Sequence, residues 1–194
     1  MTFEGINSAA PIFTALVIAA TAAAALVQLR HMRASNHITA MWSIHQQFSD
    51  PRYLEAVRDL REHLFELMED AAFREIIVRR IQGRPTPNAK EQYNATAASA
   101  MLVLNTHETL GNMIITGLVD RDVFMRNYAW IIDANWRRYE RYIALCRQAE
   151  QGNGLYGDFE WLTVYARNWI KRNPVAYPKG YARILPSFER GPVA

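Results

Sequence analysis

Apolar and polar positions divide the chain into three stretches of different character. From Ala9 to Val27 it reads AAPIFTALVIAATAAAALV, and no charged residue lies between Glu4 and Arg30. At about 1.5 Å per residue, a helix of that length spans roughly 28 Å, close to the hydrocarbon thickness of a bilayer. Such a helix closes its own backbone hydrogen bonds, as hydrocarbon requires. Pro11 falls in its first turn, where a missing N–H is harmless. After residue 30 apolar residues recur at spacings of three and four, and no segment alternates in twos.

The periodicity predicts that the first helix continues from Arg33 to Phe48, with Ile38, Met41, Trp42, Ile44, His45 and Phe48 on one face. Ser49-Asp50-Pro51 breaks the chain and restarts it, with Ser or Asp as cap and Pro51 in the first turn. The next helix carries Leu54, Val57, Leu60, Leu64 and Leu67, and a shorter one carries Phe73, Ile76, Ile77 and Ile81. Residues 83–88 (GRPTPN) form the clearest internal loop. A long helix is expected from about Ala89 to Ile115. Gly117 then reads as a C-cap and Asp120 as the next N-cap. The helix from Arg121 to about Gln148 carries Phe124, Tyr128, Ile131, Ile132, Trp136 and Tyr139. A glycine loop at 152–157 precedes a last helix, which starts at Asp158, holds Phe159, Leu162, Tyr165, Ala166 and Trp169, and ends at Asn173-Pro174. The fold expected is all-α: a single N-terminal transmembrane helix (1–30), a cytoplasmic bundle of five or six helices (31–172), and an irregular basic tail (173–194).

Three readings of the apolar stretch compete. A cleaved signal peptide wants a positive n-region, yet Glu4 is the only charge there. A buried soluble helix is the second, because alanine is a weak membrane residue. A transmembrane anchor fits best. Arg30 and Arg33 follow the span and no cation precedes it, which places the N-terminus outside and the bulk of the chain in the cytoplasm. Ala15, Ala19 and Ala23, four apart, would let a partner helix approach closely in the membrane. The span holds no ionisable residue and so supplies no proton relay or ion site.

Composition excludes several classes. The 194 residues are 50% hydrophobic and 21% charged, a globular rather than a disordered balance. One cysteine, Cys146, excludes an internal disulfide framework and a four-cysteine zinc site. The net charge of +3 is too small to indicate nucleic acid. None of His31, His37, His45, His63 and His107 has an acidic residue three positions before it, so no helical di-iron pattern exists, and no metal or cofactor is expected. No nucleophile elbow and no phosphate loop is present. Cys146, mid-helix beside Leu145, reads as a core residue.

Four short stretches occur in order: Arg33-Ala34-Ser35-Asn36, Phe48-Ser49-Asp50-Pro51, Glu108-Thr109-Leu110-Gly111 leading to Gly117-Leu118-Val119-Asp120, and Phe159-Glu160-Trp161-Leu162 running to Trp169 and the Val175–Lys179 end. Together they resemble a bacterial family of membrane-anchored helical proteins, a domain of unknown function of the DUF4760 type. The resemblance covers nearly the whole chain. It implies an N-terminal anchor and a cytoplasmic helical domain, and it implies no activity.

Two groups of residues are candidates for function. Glu108 sits in an apolar run and Glu160 between two aromatics, while Arg137, Arg138 and Arg141 lie on the helix between them. A carboxylate in such surroundings needs an arginine partner. These five residues form either structural ion pairs or a ligand pocket. From Tyr165 onward six cations face Glu189 alone, and Trp169, Lys171, Arg172, Tyr177, Lys179, Tyr181 and Arg183 interleave charge with aromatic rings. That composition suits an anionic lipid surface or a partner protein, or else a tail packed over the bundle. The function expected is a binding or accessory module in an inner-membrane assembly, held there with another membrane protein. The alternative is a membrane-tethered small-ligand sensor or enzyme built on the carboxylate–arginine group.

Overall fold

The computed structural model describes residues 3–86, 89–152 and 154–174, with side chains from residue 13 onward. Six α-helices and no strand occur among them: α1 (Phe3–Phe48), α2 (Pro51–Leu67), α3 (Ala71–Ile81), α4 (Glu91–Ile115), α5 (Arg121–Glu150) and α6 (Gly157–Arg172).

Aspartate starts three of these helices. The side chains of Asp50, Asp70 and Asp120 accept from the backbone N–H of Arg52, Ala72 and Val123 at 2.8, 2.8 and 2.9 Å. Each satisfies one of the four donors that a helix start leaves unpaired. Gly117 has φ +74°, the left-handed conformation that closes α4. α4 is the central element, with α2 packed along it on one side and α6 on another. α5 packs on α6 and α3. Phe73, Leu104, Ile114, Phe124, Ile132, Tyr139 and Phe159 are fully buried between them.

α1 is one uninterrupted helix of 46 residues. Its C-terminal turns belong to the bundle: Ile44 is buried, and Ala40, Met41 and Phe48 pack against the core. Phe48 meets Tyr53, Tyr128 and His107 at ring-centroid distances of 5.3, 5.3 and 6.1 Å. The remainder projects away. It is long and apolar enough to cross a membrane, and the rest of the chain buries none of its apolar window. That removes the reading of this segment as a buried helix of the bundle. Thr21 donates its hydroxyl to the Val17 carbonyl at 2.8 Å, so this polar group is satisfied inside the helix.

Three expected faces are corrected. Ile38 and Trp42 do not join Ile44 in the core but lie 72% and 62% exposed, because their positions turn outward once Met41, Ile44 and Phe48 face in. On α2, Leu54 is exposed, and Tyr53 and Ala56 occupy the buried positions beside Leu60 and Leu64. On α5, Ile131 is exposed while its neighbour Ile132 is fully buried. In each case an apolar residue stands beside the true stripe, and periodicity alone admits both.

Candidate functional site

The five residues singled out as a carboxylate–arginine group are not brought together. Glu108, half-buried on α4, reaches across to α6, where its Oε2 accepts from the backbone N–H of Phe159 at 2.9 Å. The residue preceding α6, Tyr156, has φ 58° and makes no side-chain cap. Glu108 therefore supplies from another helix the cap that α6 lacks, and its charge suits the positive end of that helix. Glu160 pairs at 2.7 Å with Arg147, not with any of the three arginines expected. Arg147 also donates through Nε to the Leu155 carbonyl at 2.8 Å, holding the loop before α6 onto α5. Arg147 lines an open groove of about 710 Å³ with Trp136, Glu140 and Gln148, and neither Glu108 nor Glu160 lines it.

The three arginines lie on the outside of α5. Arg137 pairs with Asp133 at 2.9 Å and Arg141 with Glu69 at 2.7 Å. Arg138 donates to the Asn135 side-chain oxygen at 3.4 Å. Asp133 is held a second time by Arg167 of α6 at 2.6 Å. These contacts are made across the surface rather than around a cavity. Folding alone brings Arg147 to Glu160 and Arg167 to Asp133, whereas the Asp133–Arg137 pair, four residues apart on one helix, was open to the sequence and was passed over. Sequence offered no cue for the Glu108 contact beyond its position three residues before Gly111.

Glu108→Ala is expected to lower stability by about 1–2 kcal/mol, the usual cost of losing a helix cap. Glu108→Gln, which keeps an acceptor, should lose less than half of that. Thermal melts of the two variants in detergent test this; equal losses would show that Glu108 acts by packing and not by capping.

His107 lies where five helices meet and is completely buried. Its ring stands 4.5 Å from that of Phe159 and 6.5 Å from that of Tyr53. Nδ1 lies 2.7 Å from the Val103 carbonyl, which can only accept, so Nδ1 carries the proton. Nε2 is then an acceptor, and the Asn135 amide donates to it at 3.0 Å. Burial lowers the His107 pKa to about 4, against a smaller opposing effect of the Val103 hydrogen bond. His107 is a neutral core residue here. Cys146 is likewise fully buried, and burial pushes its thiol up to about 12, which leaves it inert as a nucleophile. Among the described residues no three His, Cys, Asp or Glu side chains converge as a metal site would require.

Of the basic aromatic end, Trp169 is half-buried and packed on the core, and Lys171 and Arg172 are exposed. Tyr177, Lys179, Tyr181 and Arg183 lie outside the described residues. Ala15, Ala19 and Ala23 are exposed along the projecting part of α1.

Fold and side chains together define a class: a small all-α domain carried on one long N-terminal helix with the length and apolarity to cross a membrane. The chain belongs to the family described as Domain of unknown function (DUF4760), whose model matches residues 15–169 and so takes in both the apolar helix and the bundle. No curated protein and no solved structure matches the chain.

Proposed function

We propose that the protein is a membrane-anchored binding or accessory module, acting through its anchor and its surface in an assembly of the bacterial inner membrane. One observation carries this reading: α1 runs unbroken from an uncovered apolar segment into the core. A helix joined to the domain without a hinge holds the domain at a set distance and orientation from whatever the apolar part enters. Arg30 and Arg33 follow that part, which by the positive-inside rule puts the bundle in the cytoplasm. The alternative of a ligand pocket loses its motivation, since Glu108 and Glu160 are each held by a structural partner.

Extraction of the native protein in mild detergent, followed by the mass of the intact particle, tests the proposal. A defined particle much larger than one 22.3 kDa chain plus detergent is expected. Ala19→Leu with Ala23→Leu should then weaken copurification of the partner, because leucine holds helix backbones apart where alanine lets them close. Undiminished copurification would show that the anchor does not make the contact, and a single-chain particle would defeat the accessory reading.

A further inference from the structure

The exposed arginines and apolar residues of α5 form a surface that the carboxylate–arginine reading obscured. With Phe124, Ile132 and Tyr139 facing the core, the helix turns Arg126, Trp130, Arg137 and Arg141 outward at successive spacings of four, seven and four, one stripe along a single face. Trp130 is 56% exposed, and Ile131 next to it and Val123 two turns earlier are each 48% exposed. Arg138 flanks the stripe. One acidic group, Asp133, stands in the stripe between Trp130 and Arg137, and three others lie at its margins. Asp133 is nearly covered and held between Arg137 and Arg167. Glu69 lies in the turn between α2 and α3 and meets Arg141. Asp122 faces α6, where it shares a groove of about 260 Å³ with Arg126, Tyr165, Trp169 and Arg172. Glu140 faces the groove of Arg147.

We propose that this outer face of α5 (Arg126, Trp130, Ile131, Arg137, Arg138 and Arg141) docks on the anionic lipid surface of the membrane that α1 enters. The inference rests on the reading of α1 as an anchor. The chemistry fits a lipid headgroup layer. Guanidinium groups bind phosphate oxygens in fixed fork geometry. Tryptophan prefers the boundary between headgroups and hydrocarbon, where its ring is buried and its N–H stays solvated. The groove shared by Arg126, Trp169 and Arg172 makes the face continuous with the cationic end of α6. α1 touches this helix from its inner side, where Phe48 packs on Tyr128. Because α1 has no hinge, docking is a tilt of the whole chain about its anchor, an intramolecular step for which weak attraction per residue suffices.

The test uses the full chain in nanodiscs of brominated phosphatidylcholine, alone or mixed with brominated phosphatidylglycerol. The quenching of Trp130 is read as the difference between wild type and Trp130→Phe. Quenching of Trp130 is expected only in the anionic discs. It should disappear at ~1 M salt, where screening reaches within about 3 Å, and in an Arg126→Gln, Arg137→Gln, Arg138→Gln variant. These are exposed positions, and Arg167 still holds Asp133 in that variant. Equal quenching in both lipids, or none in the anionic discs, overturns the docking surface. Photocrosslinking from position 130 in native membranes separates the other occupant: adducts to an acidic protein in place of lipid also overturn it. A chain that fails to enter the discs defeats the anchor itself, a result distinct from either.

Discussion

Gly111→Ala is expected to destabilise the protein by about 3 kcal/mol, at the upper end of the cost of overpacking a core. Helix propensity predicts the opposite sign, since alanine in a helix interior is favoured over glycine by about 1 kcal/mol. Sterics decide. A Cβ at Gly111 would stand 2.4 Å from the carbonyl oxygen of Asp158 and 2.5 Å from its carbon. Those are backbone atoms at the start of α6, so no side-chain rotation relieves the contact and α4 and α6 must separate. Separation also lengthens the Glu108 bond to the Phe159 N–H and the 3.2 Å bond between Asn112 and Asp158. For a chain of this size the loss corresponds to a melting temperature lower by roughly 6–12 °C. Gly111→Leu should detach α6 altogether and abolish the near-ultraviolet signature of Trp136 against Phe159, whose rings stand 5.2 Å apart. Gly154→Ala, with nothing within 4 Å of the added carbon, is the control and should melt like wild type. An alanine variant at 111 that melts within a degree or two of the wild type would disprove the close approach.

The second large effect is on acid stability. The His107 pKa is lowered to about 4 in the folded chain and returns to about 6.5 on unfolding. Between those values the unfolded chain binds the extra proton and the folded chain does not. Stability is therefore full above about pH 6.5 and is lost progressively as pH falls towards 4. The difference corresponds to about 3 kcal/mol at the lower limit, from 1.36 kcal/mol per pKa unit. Below pH 4 the ring charges in place, with Asn135 and the aromatic rings of Phe48, Tyr53 and Phe159 offering no counter-ion. His107→Gln keeps hydrogen-bonding capacity without a titrating ring. It should be less stable than wild type at pH 7.5 and should lack about one proton's worth of slope between pH 6.5 and 4. Denaturant titrations of both proteins across that range measure the slope, and parallel pH profiles would show that another group controls acid unfolding.

Particular elements show how much was legible. The helices after Asp50, Asp70 and Asp120 begin with caps supplied within three residues, and a local signal of that kind is present in any reading of the chain. α6 begins without such a signal, because its cap comes from Glu108, 51 residues away. The carboxylates were recognisable as needing partners. Their partners were not recognisable, since Arg147, Arg137, Arg138 and Arg141 share one helix and only its rotation against α6 decides which of them reaches Glu160. The same rotation turned three of those arginines outward and joined them to Trp130.

By itself the sequence determined what depends on short stretches of chain: an uncharged apolar helix near the N-terminus, six helices with most of their boundaries, the turn at Gly117, and the family. Hydrophobic spacing and capping carry that information because they act over one or two helical turns. Tertiary structure alone decided the rest. It seated α1 in the core through Ile44 and Phe48 while Ile38 and Trp42 turned out, closed α4 on α6 at Gly111, buried His107 in its neutral form, and exposed the arginine face of α5. Each of these depends on which sides of two distant helices meet, and a side-chain pattern that repeats every three or four residues leaves neighbouring positions on one helix as rivals until a second helix selects between them.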